Sequence, residues 1–164
     1  MVILGIDPGL ERIGFGVIRR DGSRLIPIEH GLILTPRIPL PDRLKLIYDQ
    51  MTELLERAKP DAVATERLLF TANKTTAMDV AKALGAVLLA VGTAGVTWAE
   101  YSPPEVKLSV VGNGAADKKQ VTYMVRRLLS LTDDPKPDDV ADALAIAITH
   151  ALRSRITALA PNRP

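Results

Sequence analysis

Met1-Val2-Ile3-Leu4-Gly5-Ile6-Asp7-Pro8-Gly9 is an apolar run that ends on an acid and a turn. Its β-branched and aliphatic residues read as a buried strand over residues 2–7. Pro8-Gly9 stops it. A lone carboxylate buried at the end of such a strand costs several kcal/mol unless something compensates it. Asp7 therefore demands a partner elsewhere in the chain.

Working outward, Ile13 to Ile18 reads as a second strand after a short turn, and Leu25 to Leu34 as a third, bent near Pro27. Residues 35–41, with Pro36, Pro39 and Pro41, form a loop. Leu44, Ile47, Tyr48, Met51, Leu54, Leu55 and Ala58 recur at helical spacing, with Asp42 as the expected N-cap and Pro60 as the stop. Ala62 to Glu66 is a short fourth strand. A second helix spans residues 75–91, with Ala77, Val80, Ala81, Leu84, Val87, Leu88 and Val91 on one face. Val96 to Tyr101 is a fifth strand. Pro103 to Val110 and Lys118 to Leu129 are helices, the latter capped by Asp117. The last helix runs from Asp138 to Leu152 or beyond, with Pro137 in its first turn.

Three strands able to form an antiparallel meander are thus followed by strands joined through helical crossovers, which should lie parallel. The expected fold is α/β: a mixed five-stranded sheet with helices on both faces, the ribonuclease-H-like architecture. The length of 164 residues suits one domain, placed at 1–152, with 153–164 as a mobile C-terminal tail. Within the second helix, residues 83–91 are apolar all round. A helix outside a sheet needs only one apolar stripe. A two-fold copy of the chain is the simplest cover for the remainder.

Composition narrows the classes. With no cysteine, disulfide scaffolds and thiolate metal sites are excluded. The apolar N-terminal run lacks a basic flank and is too short for a signal peptide. The longest uncharged apolar stretch, Ala83 to Thr97, falls short of the ~20 residues of a membrane span. A soluble, cytoplasmic protein is expected. The net charge of +2 and pI of about 9.0 permit nucleic-acid binding without requiring it. Lys118, Lys119, Arg126 and Arg127 cluster in one segment, and Arg153, Arg155 and Arg163 near the C-terminus. Either group also fits a solvated helix face.

Glu66 repeats the oddity of Asp7, ending the apolar strand 62–65. Adjacent parallel strands bring their C-terminal ends to one sheet edge, so Asp7 and Glu66 are expected to converge there. Asp139 and Asp142 stand three apart on the last helix, on one face and beside the apolar positions that must meet the sheet. Taken alone, that pair also suits a helix N-terminus, whose dipole favours acids. Four carboxylates together repel unless cations neutralise them. All-oxygen ligands select Mg²⁺ or Mn²⁺, and two such ions roughly 4 Å apart clamp a phosphodiester, one activating water and one stabilising the leaving oxygen.

Several further segments complete a family pattern: Gly5-Ile6-Asp7-Pro8-Gly9 with Gly14-Phe15-Gly16, Glu66 after its strand, Val106-Lys107, Val110-Val111-Gly112-Asn113-Gly114 with Lys118, and Ala141-Asp142-Ala143-Leu144-Ala145-Ile146-Ala147-Ile148-Thr149-His150. Over residues 1 to about 152 the chain resembles the RuvC Holliday-junction resolvases. The resemblance implies a homodimer, joined through the helix 75–91, that nicks two strands of a four-way DNA junction symmetrically and leaves 5′-phosphates and 3′-hydroxyls. It implies two Mg²⁺ ions per site, with Mn²⁺ able to substitute. It maps the catalytic, metal-holding acids onto Asp7, Glu66, Asp139 and Asp142, preferring Asp139 to its neighbour Asp138. It gives Lys107 and Lys118 a place beside the scissile phosphate. Leu69 or Phe70 would enter the junction, Arg67 and Lys74 would contact phosphates, and RuvA and RuvB would be partners. His150 is read as structural. Rival readings are a related nuclease acting on an RNA–DNA hybrid, a non-catalytic junction-binding protein, and a fragment of an actin-like ATPase. The last is disfavoured because no second Asp-x-Gly loop follows.

Overall fold

The period of two along each strand sorts the side chains into two layers. On one face of the sheet stand Leu4, Ile6, Ile13, Phe15, Val17 and Val63. On the other stand Ile3, Gly5, Asp7, Gly14, Gly16, Ile18, Ala64 and Glu66. The computed structural model describes residues 1–68 and 74–159, without the side chains of 74–76 and 155–159. It contains β1 (Val2–Asp7), β2 (Arg12–Asp21), β3 (Arg24–Leu34), α1 (Leu40–Ala58), β4 (Ala62–Glu66), α2 (Lys74–Thr93), β5 (Thr97–Tyr101), α3 (Pro103–Val111), α4 (Lys118–Leu128) and α5 (Asp138–Leu159).

The strands form a five-stranded sheet in the order β3-β2-β1-β4-β5. β1 to β3 make the antiparallel meander, and β4 and β5 run parallel to β1, as the crossovers require. The bend expected near Pro27 is a bulge. Val17 pairs with Glu29 and Ile18 with Pro27, so Ile28 stands unpaired and exposed. α1 and α2 cover the first face of the sheet through Ile47, Met51, Leu54, Ala83, Val87 and Val91. α5 crosses the second face, backed by α3 and α4.

Close approach of α5 is possible because of glycine. A Cβ on Gly5 would strike the Ala143 carbonyl, and one on Gly14 the Asp139 carbonyl. One on Gly16 would lie 2.6 Å from the Leu144 side chain. Glycine inside a strand commonly marks such a contact. The three glycines let an alanine-rich helix lie against the backbone of β1 and β2.

Several local expectations are corrected. α1 starts at Leu40 with Pro39 as the cap residue, not at Asp42. Prolines 39 and 41 preset the first turn, and Asp42 sits within it, where the dipole favours an acid. The buried stripe of α2 includes Ala83 and Ala90, whereas Ala77, Val80, Ala81 and Leu88 are only half-buried, because α1 packs on that flank. Pro137 precedes α5 and supplies its carbonyl to the Val140 N–H at 3.0 Å. The helix continues to Leu159, in line with an end at Leu152 or beyond.

One buried cation was not expected. Arg43 lies on the apolar side of α1 and is 9% exposed. Its Nε and Nη2 donate to the Thr35 hydroxyl at 3.0 and 2.8 Å, and Nη2 also donates to the Leu10 carbonyl at 3.0 Å. This ties the turn that follows Asp7 to α1. Among the described residues no helix is long and apolar enough to cross a membrane.

Candidate active site

Strand register brings the first two acids together. Ile6 lies beside Thr65 in the parallel β1–β4 pair, so the next residue on each strand, Asp7 and Glu66, stands at the same level. Both point to the α5 face, by the alternation that also places Ile3, Gly5 and Ala64 there. The first turn and a half of α5 crosses this edge because Gly14, the partner of Asp7 in β2, admits the Asp139 backbone. Asp139 and Asp142 then reach in from above. The four acids sensed in the sequence share one neighbourhood: Asp142, Glu66 and Asp139 all act on the Asp7 carboxyl.

Electrostatics follow from that crowding. Burial, reinforced by Asp142, Glu66 and Asp139 and opposed by Lys118, pushes the Asp7 carboxyl up to about 8. Burial first, and then the charge of Asp142, raises Glu66. Burial also raises Asp142, where Lys118 pulls the other way. One oxygen of Asp139, Oδ2, is buried and accepts no hydrogen bond among the described residues, with the Arg12 guanidinium 3.4 Å away. Its hydrogen-bonding capacity is thus left over for a further ligand, since a buried carboxylate oxygen costs free energy until it is fully compensated.

The neighbouring acid behaves differently. The side chain of Asp138 is 77% exposed, against 29% for Asp142 and 23% for Asp139, and it accepts from Lys118 Nζ at 3.1 Å. Asp139 is thus the more buried of the two, set against Arg12 with its charge felt at Asp7 and Asp142, and Asp138 lies at the rim.

Two basic residues stand on the opposite wall. A cleft of about 240 Å³ is lined by Glu66, Lys107, Lys118 and Asp142, with Pro103, Val106 and Val121. Lys118, the first residue of α4, reaches Asp142 at 3.2 Å. Asp117 fixes the start of that helix by accepting from the Gln120 N–H at 2.9 Å. Lys107, on α3, acts on Glu66. α3 is in turn anchored by Glu105, which accepts from the Ser102 N–H at 2.9 Å and from the Arg153 guanidinium at 2.6 Å. These contacts hold its carboxyl down at about 2, the Ser102 N–H first among them.

His150 takes no part in the carboxylate cluster. Its Nδ1 is 2.9 Å from the Tyr101 hydroxyl, and burial lowers its pKa, in keeping with a structural role. Arg67 is engaged by Glu100 at 3.2 Å. Leu69 and Phe70 lie outside the described residues, as does the side chain of Lys74.

The donor set fits a hard divalent cation. It is all oxygen, partly buried, and includes an orphaned carboxylate oxygen. Among the described residues no group of three or more His, Cys, Asp or Glu side chains already closes round one metal position. The Lys118 ammonium, 3.2 Å from Asp142, takes up part of the negative charge.

Comparison with known proteins bears on this arrangement. The family model described as Crossover junction endodeoxyribonuclease RuvC matches residues 3–150. The chain belongs to the RuvC family. It is 51% identical over 152 residues to the RuvC of Brevibacillus brevis, covering 92% of each chain. It is 50% identical over 158 residues to that of Rubrobacter xylanophilus, covering 96% of this chain and 88% of the relative. Among solved structures, RuvC of T. thermophilus in complex with a Holliday junction substrate superposes with a TM-score of 0.91 at 40% identity, over 96% of both chains. The yeast mitochondrial resolvase Ydc2 shares the fold, with a TM-score of 0.69 at 15% identity. The expected ribonuclease-H-like architecture is therefore the observed one. Crossover-junction endonucleases are the class to which the chain is assigned.

The residues missed in the sequence are supporting ones. Arg12 pairs with Asp139 and Arg43 pins the turn after Asp7. Arg43 left a signal, since it sits one turn before Ile47 on the apolar stripe of α1. Arg12 left none that spacing reveals.

Proposed function

We propose that the chain resolves four-way DNA junctions by two symmetric nicks, as a homodimer, leaving 5′-phosphate and 3′-hydroxyl ends. The observation that carries this reading is the meeting of Asp7, Glu66, Asp139 and Asp142 at one sheet edge, with Asp139 Oδ2 buried and accepting no hydrogen bond among the described residues. The family membership and the likeness to a RuvC solved with a Holliday junction support the choice of substrate.

In this reading Asp7, Glu66, Asp139 and Asp142 hold two Mg²⁺ ions, for which Mn²⁺ substitutes. Such ions, when held there, would supply a lowered pKa to an attacking water and would neutralise charge on the leaving oxygen. Asp7 is central among these acids, since the charges of Asp142, Glu66 and Asp139 all act on it. Lys107 and Lys118 hold the scissile phosphate in the cleft they line and offset its added charge. Arg67 and Lys74 contact neighbouring phosphates, and Leu69 or Phe70 enters the opened junction, where an aromatic side chain such as Phe70 stacks on an exposed base. The branch-migration proteins RuvA and RuvB are the expected partners, and access to chromosomal DNA places the enzyme in the cytoplasm.

The dimer rests on α2. Met78, Gly85, Leu89 and Gly92 form a stripe on its outer side, with Leu89 63% and Met78 53% exposed and open space above both glycines. A two-fold copy covers such a face, with the glycines allowing close backbone approach. Leu89→Asp is expected to convert the dimer to a monomer in sedimentation analysis and to abolish paired cutting. A dimer that persists through this change would place the interface elsewhere.

The function itself is tested on a labelled mobile four-way junction. Cutting in Mg²⁺ and Mn²⁺, none in EDTA, and two symmetric nicks with ligatable ends are expected. Equal cutting of an unbranched duplex or of an RNA–DNA hybrid would favour the related nuclease reading.

A further inference from the structure

Lys118 Nζ is shared between two carboxylates, Asp138 at 3.1 Å and Asp142 at 3.2 Å. These acids stand one turn apart on α5, on the same side of the helix. Their surroundings differ. Asp142 faces the acid cluster and acts on both Asp7 and Glu66. Asp138 is at the rim, and its charge is felt at Asp142 and Lys118 but is not among those acting on Asp7 or Glu66. An ammonium lodged on Asp142 alone would compete with any divalent ion for that carboxylate. A second acceptor outside the cluster weakens the competition.

We infer that Asp138 is a positioning residue that draws the Lys118 ammonium off Asp142, leaving that carboxylate available to a divalent ion while keeping Lys118 beside the cleft. The inference rests on the proposed metal-holding role of Asp142. Lysine suits this task, since its three donors can serve two acceptors at once and move between them at little cost. With an ion on Asp142, Asp138 still gives Lys118 a partner, so the side chain stays at the wall where a phosphate would lie. Asp138 is thereby distinguished from Asp139, whose charge is felt at Asp7.

The test is direct Mn²⁺ binding to the full chain, without DNA, followed by calorimetry or by the electron-spin resonance of free Mn²⁺. D138N is expected to raise the Kd by about two- to fivefold, the range for a solvent-exposed ion pair, with D138E close to wild type. In the K118M background the same Asp138→Asn change should shift the Kd by less than half as much on a logarithmic scale, since no ammonium remains to be held. An unchanged Kd in D138N would overturn the inference. So would a shift at least as large in the K118M background, which would make Asp138 a ligand in its own right or a contributor of field alone. D142N separates the two levels. If it binds Mn²⁺ as wild type does, the metal-holding role of Asp142 fails and the inference falls with it. Thermal unfolding of each variant checks that the fold is intact.

Discussion

Asp7→Asn is expected to reduce junction cutting by at least about a thousandfold while leaving junction binding intact. The ions are asked for several kcal/mol of transition-state stabilisation, and each 1.36 kcal/mol is a factor of ten. The charges of the other three acids all act on Asp7, so its loss would disturb the proposed metal site. Binding persists because phosphate contacts from basic residues dominate DNA affinity. Gel shifts in EDTA and single-turnover cutting in Mg²⁺ report the two effects separately.

The same substitution should stabilise the fold. The Asp7 carboxyl is raised from 3.8 to about 8, with burial as the first cause. Between those values the folded chain keeps a proton that the unfolded chain has released. Stability without divalent ions therefore falls as pH rises through this window, and levels off above it. Asn carries no such charge. Urea unfolding in EDTA at pH 8.5 should show the variant more stable by on the order of 3 kcal/mol, with a flatter pH dependence. Adding Mn²⁺ should stabilise the wild type more than the variant.

Gly14→Ala is the second large effect, and it acts through the backbone. The new Cβ would occupy the space of the Asp139 carbonyl oxygen and carbon. Neither a strand held between two neighbours nor a packed helix yields easily, so the N-terminal end of α5 must lift. Overpacking of this kind costs about 1–3 kcal/mol, a fall in Tm of several degrees for a chain of this size. The functional loss should be larger, because the displaced segment carries Asp139 and leads to Asp142. A misplacement of about 1 Å costs on the order of a hundredfold in rate. A folded Gly14→Ala variant that cuts at the wild-type rate would show that α5 is not positioned by this contact.

These two positions also show how far the sequence could be read. Asp7 and Glu66 were legible because a charge at the end of an apolar strand has no cheap structural explanation, and because parallel strands end at a common edge. Strand order was legible for the same reason, since short turns give antiparallel neighbours and helical crossovers give parallel ones. The pair on α5 was legible as a spacing, but spacing does not say which of Asp138 and Asp139 turns inward. That depends on the angle at which α5 crosses the sheet, which Gly5, Gly14 and Gly16 set through contacts remote in sequence. The start of α1 was misplaced because an aspartate was preferred as cap over a proline loop whose fixed φ angles already begin the helix. The partners of Arg12 and Arg43 come from other elements, so spacing leaves no trace of Arg12 and shows of Arg43 only its place on the apolar stripe of α1.

The central claim is that four acids, distant in the chain, hold divalent ions together. Anomalous difference maps from crystals soaked in Mn²⁺ at a concentration that saturates cutting test it most directly. Peaks in contact with the carboxylates of Asp7, Glu66, Asp139 and Asp142 are predicted, with Lys118 withdrawn toward Asp138. The account is contradicted if the maps are empty there, or if Mn²⁺ lies away from Asp7.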